Sequence, residues 1–160
     1  MQRQKSRTAH LMASPDDVEA QFYEALRHGD LEKLMTLWAD DDDVVCVHPG
    51  GPRNVGTLAI RSAFEAVFAG GRIPAHPEQV HKVHTVDSAM HSVLERIDLV
   101  TPEGPRTGWV IATNVYLRGP QGWRLVAHHA SPGTADPVQD VSPPPSVLPA
   151  SAAAGSSSWY

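Results

Sequence analysis

Every helical pattern in this chain lies before residue 72, and from Glu78 to Ser131 it runs through four β-type segments joined by short turns. That order constrains the fold more than any other feature. The segments are read as Glu78 to Asp87, Ala89 to Val100, Arg106 to Arg118 and Trp123 to Ser131, the last after the turn Gly119-Pro120-Gln121-Gly122. Helices first and an antiparallel meander afterwards is the pattern of an α+β domain.

Three helices are expected before the meander. Ser14 is a suitable N-cap, with Pro15 in the first turn and Asp16 and Asp17 at the positive end of the dipole. Val18, Phe22 and Leu26 recur every four residues and share one face. Gly29 is placed to end this helix in a left-handed conformation, and Asp30 to cap a second one carrying Leu31, Leu34, Met35 and Trp38. The acidic run Asp40 to Asp43 reads as a solvated loop. A short strand, Val44 to His48, stops at Pro49-Gly50-Gly51. The third helix is expected to start with Thr57 as cap, turn Ile60, Phe64, Val67 and Phe68 inward, and stop at Gly70-Gly71.

The segment from Arg106 to Arg118 is apolar on both faces. One carries Trp109, Ile111, Val115 and Leu117, and the other Val110, Ala112, Asn114 and Tyr116. A sheet with one solvated face should alternate apolar and polar residues. Helices can cover only one side, so the other is expected to meet a second subunit or a folded-over tail, and a homodimer is the favoured reading.

Composition narrows the function classes. The chain has 160 residues, 41% of them hydrophobic, which suits one domain with tails. The expected limits are a flexible tail over 1–13, a folded domain over 14–133 and a disordered Pro/Ser/Ala-rich tail over 134–160 that ends in Trp159 and Tyr160. No apolar run approaches the roughly 18 residues of a membrane span, so no membrane partner is expected. No apolar stretch follows the basic residues Arg3, Lys5 and Arg7, so a cytoplasmic location is expected. The formal net charge of −5 and the scattered basic residues argue against nucleic acid. Cys46 is the only cysteine and reads as a small buried hydrophobe. His81 and His84, three apart on a strand, fall on opposite faces and cannot share an ion. Only His48 and His129 with a carboxylate such as Glu95 could form a metal site, and nothing in the spacing demands it. No metal and no other cofactor is expected.

Several stretches together resemble the SnoaL-like and ketosteroid-isomerase-like group of the NTF2-like superfamily. They are Ala25-Leu26-Arg27-His28-Gly29-Asp30-Leu31, Leu37-Trp38-Ala39-Asp40-Asp41, and Val47-His48-Pro49-Gly50-Gly51 with Gly56. The stretch Gly122-Trp123-Arg124-Leu125-Val126-Ala127-His128-His129-Ala130-Ser131 is similar to the last strand of the related calcium/calmodulin-dependent kinase association domains. The resemblance spans about Ser14 to Ser131. It implies a cone-shaped fold in which three N-terminal helices are wrapped by a curved, mostly antiparallel sheet, usually in a dimer.

The resemblance also implies a site. The general base of ketosteroid isomerase precedes a proline at the end of the first strand, and His48 stands there before Pro49. The alternative is a structural histidine that holds the turn. The isomerase oxyanion hole needs a Tyr and a protonated Asp. Those positions fall on Phe22 and near Thr113 or Asn114, so steroid isomerisation itself is not expected. Asn114 interrupts an apolar face and is a candidate ligand contact or a tie between strands. His129 shares a face with Trp123, Leu125 and Ala127, which makes it the inward member of the pair His128-His129. Trp38 and Trp109 are core residues or pocket walls. Glu95 either faces the pocket or pairs with a base such as Arg61, with pairing the preferred reading. Two functions follow: a pocket for a small apolar carbonyl compound, with isomerase- or hydratase-like chemistry at His48, or a non-catalytic dimerisation module of the association-domain type.

Overall fold

The structure is a computed structural model that describes residues 12–135 and 139–142. The remaining parts of the two expected tails, Trp159 and Tyr160 included, lie outside the described residues.

Among the described residues three helices precede most of the sheet, for the reasons the sequence supplies. Helix α1 spans Pro15–His28; the Ser14 hydroxyl caps it by accepting from the Asp17 N–H at 3.1 Å. It ends where Gly29 takes φ 62°. Helix α2 spans Leu31–Thr36, capped by the Asp30 carboxylate. Helix α3 spans Thr57–Ala69, and Thr57 is its first residue rather than its cap. The cap falls on Gly56, which sits at φ 85° while its N–H bonds the Val44 carbonyl at 2.8 Å. A side chain is disfavoured at that φ, so the glycine takes the position Thr57 would otherwise fill.

Six strands form one curved, open sheet in the order β2-β1-β6-β5-β4-β3. They are β1 (Val45–Val47), β2 (Arg53–Val55), β3 (Ala75–His84), β4 (Ser88–Thr101), β5 (Gly104–Gly119) and β6 (Gly122–Pro132). The last four make the expected antiparallel meander. Strand β1 joins its edge parallel to β6, pairing Cys46 with His128, and β2 closes antiparallel onto β1. The three residues of β2 carry no hydrophobic alternation and were not anticipated.

Burial separates the two faces of the sheet. The inner face buries Ala89, His91, Val93 and Glu95 of β4 with Ala112, Asn114 and Tyr116 of β5. Against it pack Val18, Phe22 and Leu26 of α1 and Ile60 and Phe64 of α3. Phe22 and Phe64 meet edge to face at 6.4 Å. Truncating either ring to alanine is expected to cost about 3–5 kcal/mol through lost burial and a cavity.

The outer face is covered in part. Leu94 is buried there, but Met90 and Leu117 are 36% and 46% exposed. Residues at the boundaries of the domain add to the fold at both ends. Met12 is buried, and its carbonyl accepts from the Trp123 N–H at 2.9 Å. Gln139 bonds both backbone polar groups of Thr134, and Asp140 lies 3.9 Å from His81 on the outer side of β3.

Candidate functional site

Helix α1 lays Glu19 and Tyr23, one turn apart, against the inner face of the sheet, where β4, β5 and β6 present polar side chains. The result is a hydrogen-bonded string through the core. Tyr23 Oη donates to Glu95 Oε2 at 2.7 Å and accepts from Asn114 Nδ2 at 3.1 Å. Asn114 Oδ1 lies 2.5 Å from His128 Nδ1. An amide oxygen only accepts, so His128 carries its proton on Nδ1 and leaves Nε2 with a free lone pair. Every donor in the string therefore points toward the Glu95 carboxyl. A second string lies beside it: Tyr116 Oη and His91 Nδ1 both donate to Glu19 Oε2, at 2.7 and 2.6 Å.

All seven residues are buried, and the electrostatics follow from that. Burial pushes the Glu95 carboxyl up from 4.5 to about 7; the Tyr23 hydrogen bond opposes this and the Glu19 charge adds to it. Burial pulls His128 down to about 3, with the nearby rings of His48 and His129 adding to the effect. His128 is thus neutral at physiological pH. Tyr23 and Tyr116 are both pushed well above the usual phenol range, first by burial and next by Glu95 and Glu19 respectively.

His48 stands just past β1. Alternation along β1 puts it on the inner face with Cys46, the neighbour of His128. It is half-buried, its ring meets Phe64 edge to face at 4.7 Å, and its Nε2 lies 4.0 Å from Cys46 Sγ. Burial lowers its pKa, so its imidazole is neutral at pH 7 and has a ring nitrogen able to accept a proton. Cys46 is fully buried with its thiol pushed up to about 12, which makes it inert.

Two expectations need correction. The inward member of the pair on β6 is His128, and His129 is exposed. The register of β5 and β6 shifts between Val115 and Tyr116, leaving Val126 as an extra residue, and this bulge reverses the parity of everything after it. Nor does Arg61 pair with Glu95: its guanidinium bonds Glu32 on the surface, across the gap between α2 and α3. Glu95 accepts from Tyr23 instead.

The tryptophans stand apart from the strings. Trp38 is buried in the core, its indole N–H has no hydrogen-bond partner among the described residues, and one edge lines an open groove of about 610 Å³ between α2 and the β5–β6 hairpin. Trp109 is half-buried on the outer face, where its carbonyl accepts from the Gly133 N–H at 2.8 Å. His81 and His84 do fall on opposite faces, one beside Asp140 and the other against Trp123.

Sequence reasoning did not single out Glu19, Tyr23, His91 or Tyr116 as site residues, and it placed His128 outward. The signal was present in α1, where Glu19 and Tyr23 flank Val18 and Phe22 on the helix. At the position compared with the isomerase tyrosine, Phe22 has no hydroxyl, and its neighbour Tyr23 supplies one to the interior.

Comparison with known proteins agrees with this architecture. The SnoaL-like domain family matches residues 16–135. A protein of Thiobacillus denitrificans, provisionally named a calcium/calmodulin-dependent protein kinase type II association domain, is 35% identical. The match covers 77% of this chain and 98% of that one, with a TM-score of 0.70. A protein of Streptomyces avermitilis, provisionally named a dehydratase of the NTF2-like family, is 34% identical over 74% of this chain and 93% of its own, with a TM-score of 0.65. The CaMKII hub of S. rosetta shares the fold at 23% identity and a TM-score of 0.60, over 76% of this chain and 98% of the hub. No curated protein matches the chain significantly. The helices wrapped by a curved sheet, the span of the family match and these two relatives together establish that the chain belongs to the SnoaL-like domain family of NTF2-like proteins.

Proposed function

We propose that this protein binds a small apolar carbonyl compound at the inner face of the sheet and moves a proton on it. The observation that carries this reading is the string Glu95–Tyr23–Asn114–His128. Burying a carboxyl, a phenol, an amide and an imidazole together costs more than an apolar core of the same volume would. A fold that needed only stability would not retain them.

Each group has a role in such chemistry. His48, neutral and half-buried, is the general base that takes a proton from carbon beside the carbonyl. Near neutral pH Glu95 is poised between its two forms. When protonated it donates to Tyr23 Oη, which frees the Tyr23 hydrogen for the developing oxyanion. Asn114 fixes the direction of the string and of the His128 ring. The dehydratase name of the Streptomyces avermitilis protein supports chemistry of this kind, since dehydration also begins with a proton abstraction.

The test is deuterium exchange beside the carbonyl of cyclic ketones and lactones in D2O, followed by NMR. Exchange above buffer is expected for some members of the panel, and His48→Ala should slow it by about 10²–10⁴-fold, the usual contribution of a general base. No exchange with any compound, together with no bound mass in native mass spectrometry, would refute the reading.

The outer face favours a second role that is compatible with the first. Met90 and Leu117 are exposed beside the half-buried Trp109, Ile111 and Val115. This apolar strip, with the association-domain relative, supports a homodimer formed through the sheet. Sedimentation should show a dimer that Leu117→Glu converts to a folded monomer; a monomeric wild type would exclude it.

A further inference from the structure

His91 joins the buried cluster to the surface. Its side chain is 2% exposed. Its Nδ1 donates to Glu19 Oε2 at 2.6 Å, and its Nε2 faces Asp16 Oδ1 at 3.8 Å. The Asp16 side chain is 64% exposed and holds Lys82 at 2.8 Å. One imidazole therefore spans the distance from an interior carboxylate to a solvated one, with a nitrogen aimed at each. Other polar groups around it are known from every neighbouring element. Lys82 and Asn114 are its cross-strand partners on β3 and β5, His84 lies near Asp16, and the Tyr116 ring lies tilted against its ring at 5.0 Å.

We infer that His91 is a proton relay between solvent at the first turn of α1 and the buried Glu19 carboxylate. A solvent hydronium drawn to Asp16 gives its proton to His91 Nε2, breaking an O–H bond of the hydronium, as the Nδ1–H bond breaks and that proton forms an O–H bond at Glu19 Oε2. The reverse sequence carries a proton out, so charge and atoms balance without another reactant. A purely structural ion pair would need only the Nδ1 contact. The second nitrogen, turned to a second carboxylate, is what a relay uses. The use of this route to recharge a catalytic site rests on the acid–base reading above, but the transfer itself does not.

The experiment follows the Glu19 carboxyl band, assigned by its loss in Glu19→Gln and separated from Glu95 by the band that Glu95→Gln removes, by time-resolved infrared spectroscopy after a pH jump on the full chain. Wild type should equilibrate quickly. His91→Gln, which keeps a donor to Glu19 but cannot change protonation, should slow the relaxation at least about tenfold. Asp16→Asn, a surface change that leaves the core intact, should slow it several-fold. Free imidazole should restore the fast phase in His91→Ala, which a structural role would not produce. Equal relaxation rates in wild type, His91→Gln and Asp16→Asn would overturn the relay, as would the absence of any titrating buried carboxyl. None of these readings depends on ketone exchange, so failure of the proposed chemistry and failure of the relay are distinguishable.

Discussion

Two buried groups in the same string oppose one another in how stability responds to pH. Glu95 titrates at about 7 in the folded protein against 4.5 for an ordinary glutamate. The folded state thus holds the extra proton between those values, and stability falls as pH rises through that window. At roughly 1.4 kcal/mol per unit, the whole shift amounts to about 3 kcal/mol. His128 has the opposite sign. Its folded value is about 3 against 6.5 for an ordinary histidine, so the unfolded chain takes up the proton first as pH falls. Its stabilising effect is complete above 6.5 and is lost toward 3, for about 5 kcal/mol in all.

Between pH 4.5 and 6.5 the two slopes cancel, each about 1.4 kcal/mol per unit and opposite in direction. Wild type should show a near-plateau there, tilted slightly upward with pH by His48, whose burial shifts it in the same direction as His128. Single substitutions unmask the hidden slopes. Glu95→Gln should gain about 3 kcal/mol from pH 4.5 to 6.5, because the His128 slope is left alone. His128→Gln should lose about 3 kcal/mol between pH 4.5 and 7. Urea titrations at several pH values, read by tryptophan fluorescence, measure both. A change of that size moves the midpoint by about 1–3 M for the usual urea sensitivity of a small domain. Comparing slopes within each variant removes the fixed cost of the substitution. If either variant runs parallel to wild type, or the two share one sign, the opposition does not exist.

Four further outcomes follow from the same geometry. Tyr23→Phe strands the Asn114 amide and removes the Glu95 donor, so it should cost about 2–4 kcal/mol by chemical denaturation. Because the Tyr23 hydrogen bond holds the Glu95 carboxyl down, the same variant should raise its titration above about 7, as read by carbon NMR of labelled glutamate. Arg61→Ala removes only an exposed contact with Glu32 and should leave the melting temperature unchanged within error, in contrast to any pairing with Glu95. The Cys46 thiol, fully buried and pushed up to about 12, should resist a thiol reagent in the native protein and react only on unfolding. Rapid native labelling would show that the β1 region opens locally.

The fold was legible because several independent local signals agree. Ser14, Gly29 and Asp30 mark helix ends by cap chemistry alone, and each acts where expected. The meander was legible from strand length and turn residues, and its boundaries moved by at most a few residues. The exception, β2, has only Arg53, Asn54 and Val55, too few for any period to show. Its strand character comes from pairing with β1, which is a tertiary fact.

The site was less legible, for a reason that can be traced to one residue. Reading the face of a strand assumes strict alternation, and Val126 breaks it. Ahead of the bulge, Trp123 and Leu125 point inward as the period requires; behind it the inward positions are His128 and Ala130. Nothing local marks the bulge, since Val126 and Ala127 are ordinary strand residues. The cause lies in what β6 pairs with. At Leu125 it exchanges backbone hydrogen bonds with Leu37 and Ala39, and from Ala127 it pairs with β1. The extra residue sits where one partner gives way to the other. A single error of parity therefore moved one histidine out of the core and another in, and with it hid the string. Once His128 is placed inward, Asn114 acquires a partner, Tyr23 acquires a reason to be buried, and Glu95 no longer needs Arg61. Polar residues scattered over four elements become one connected group only when the register is known, because each taken singly has an equally good place on a surface.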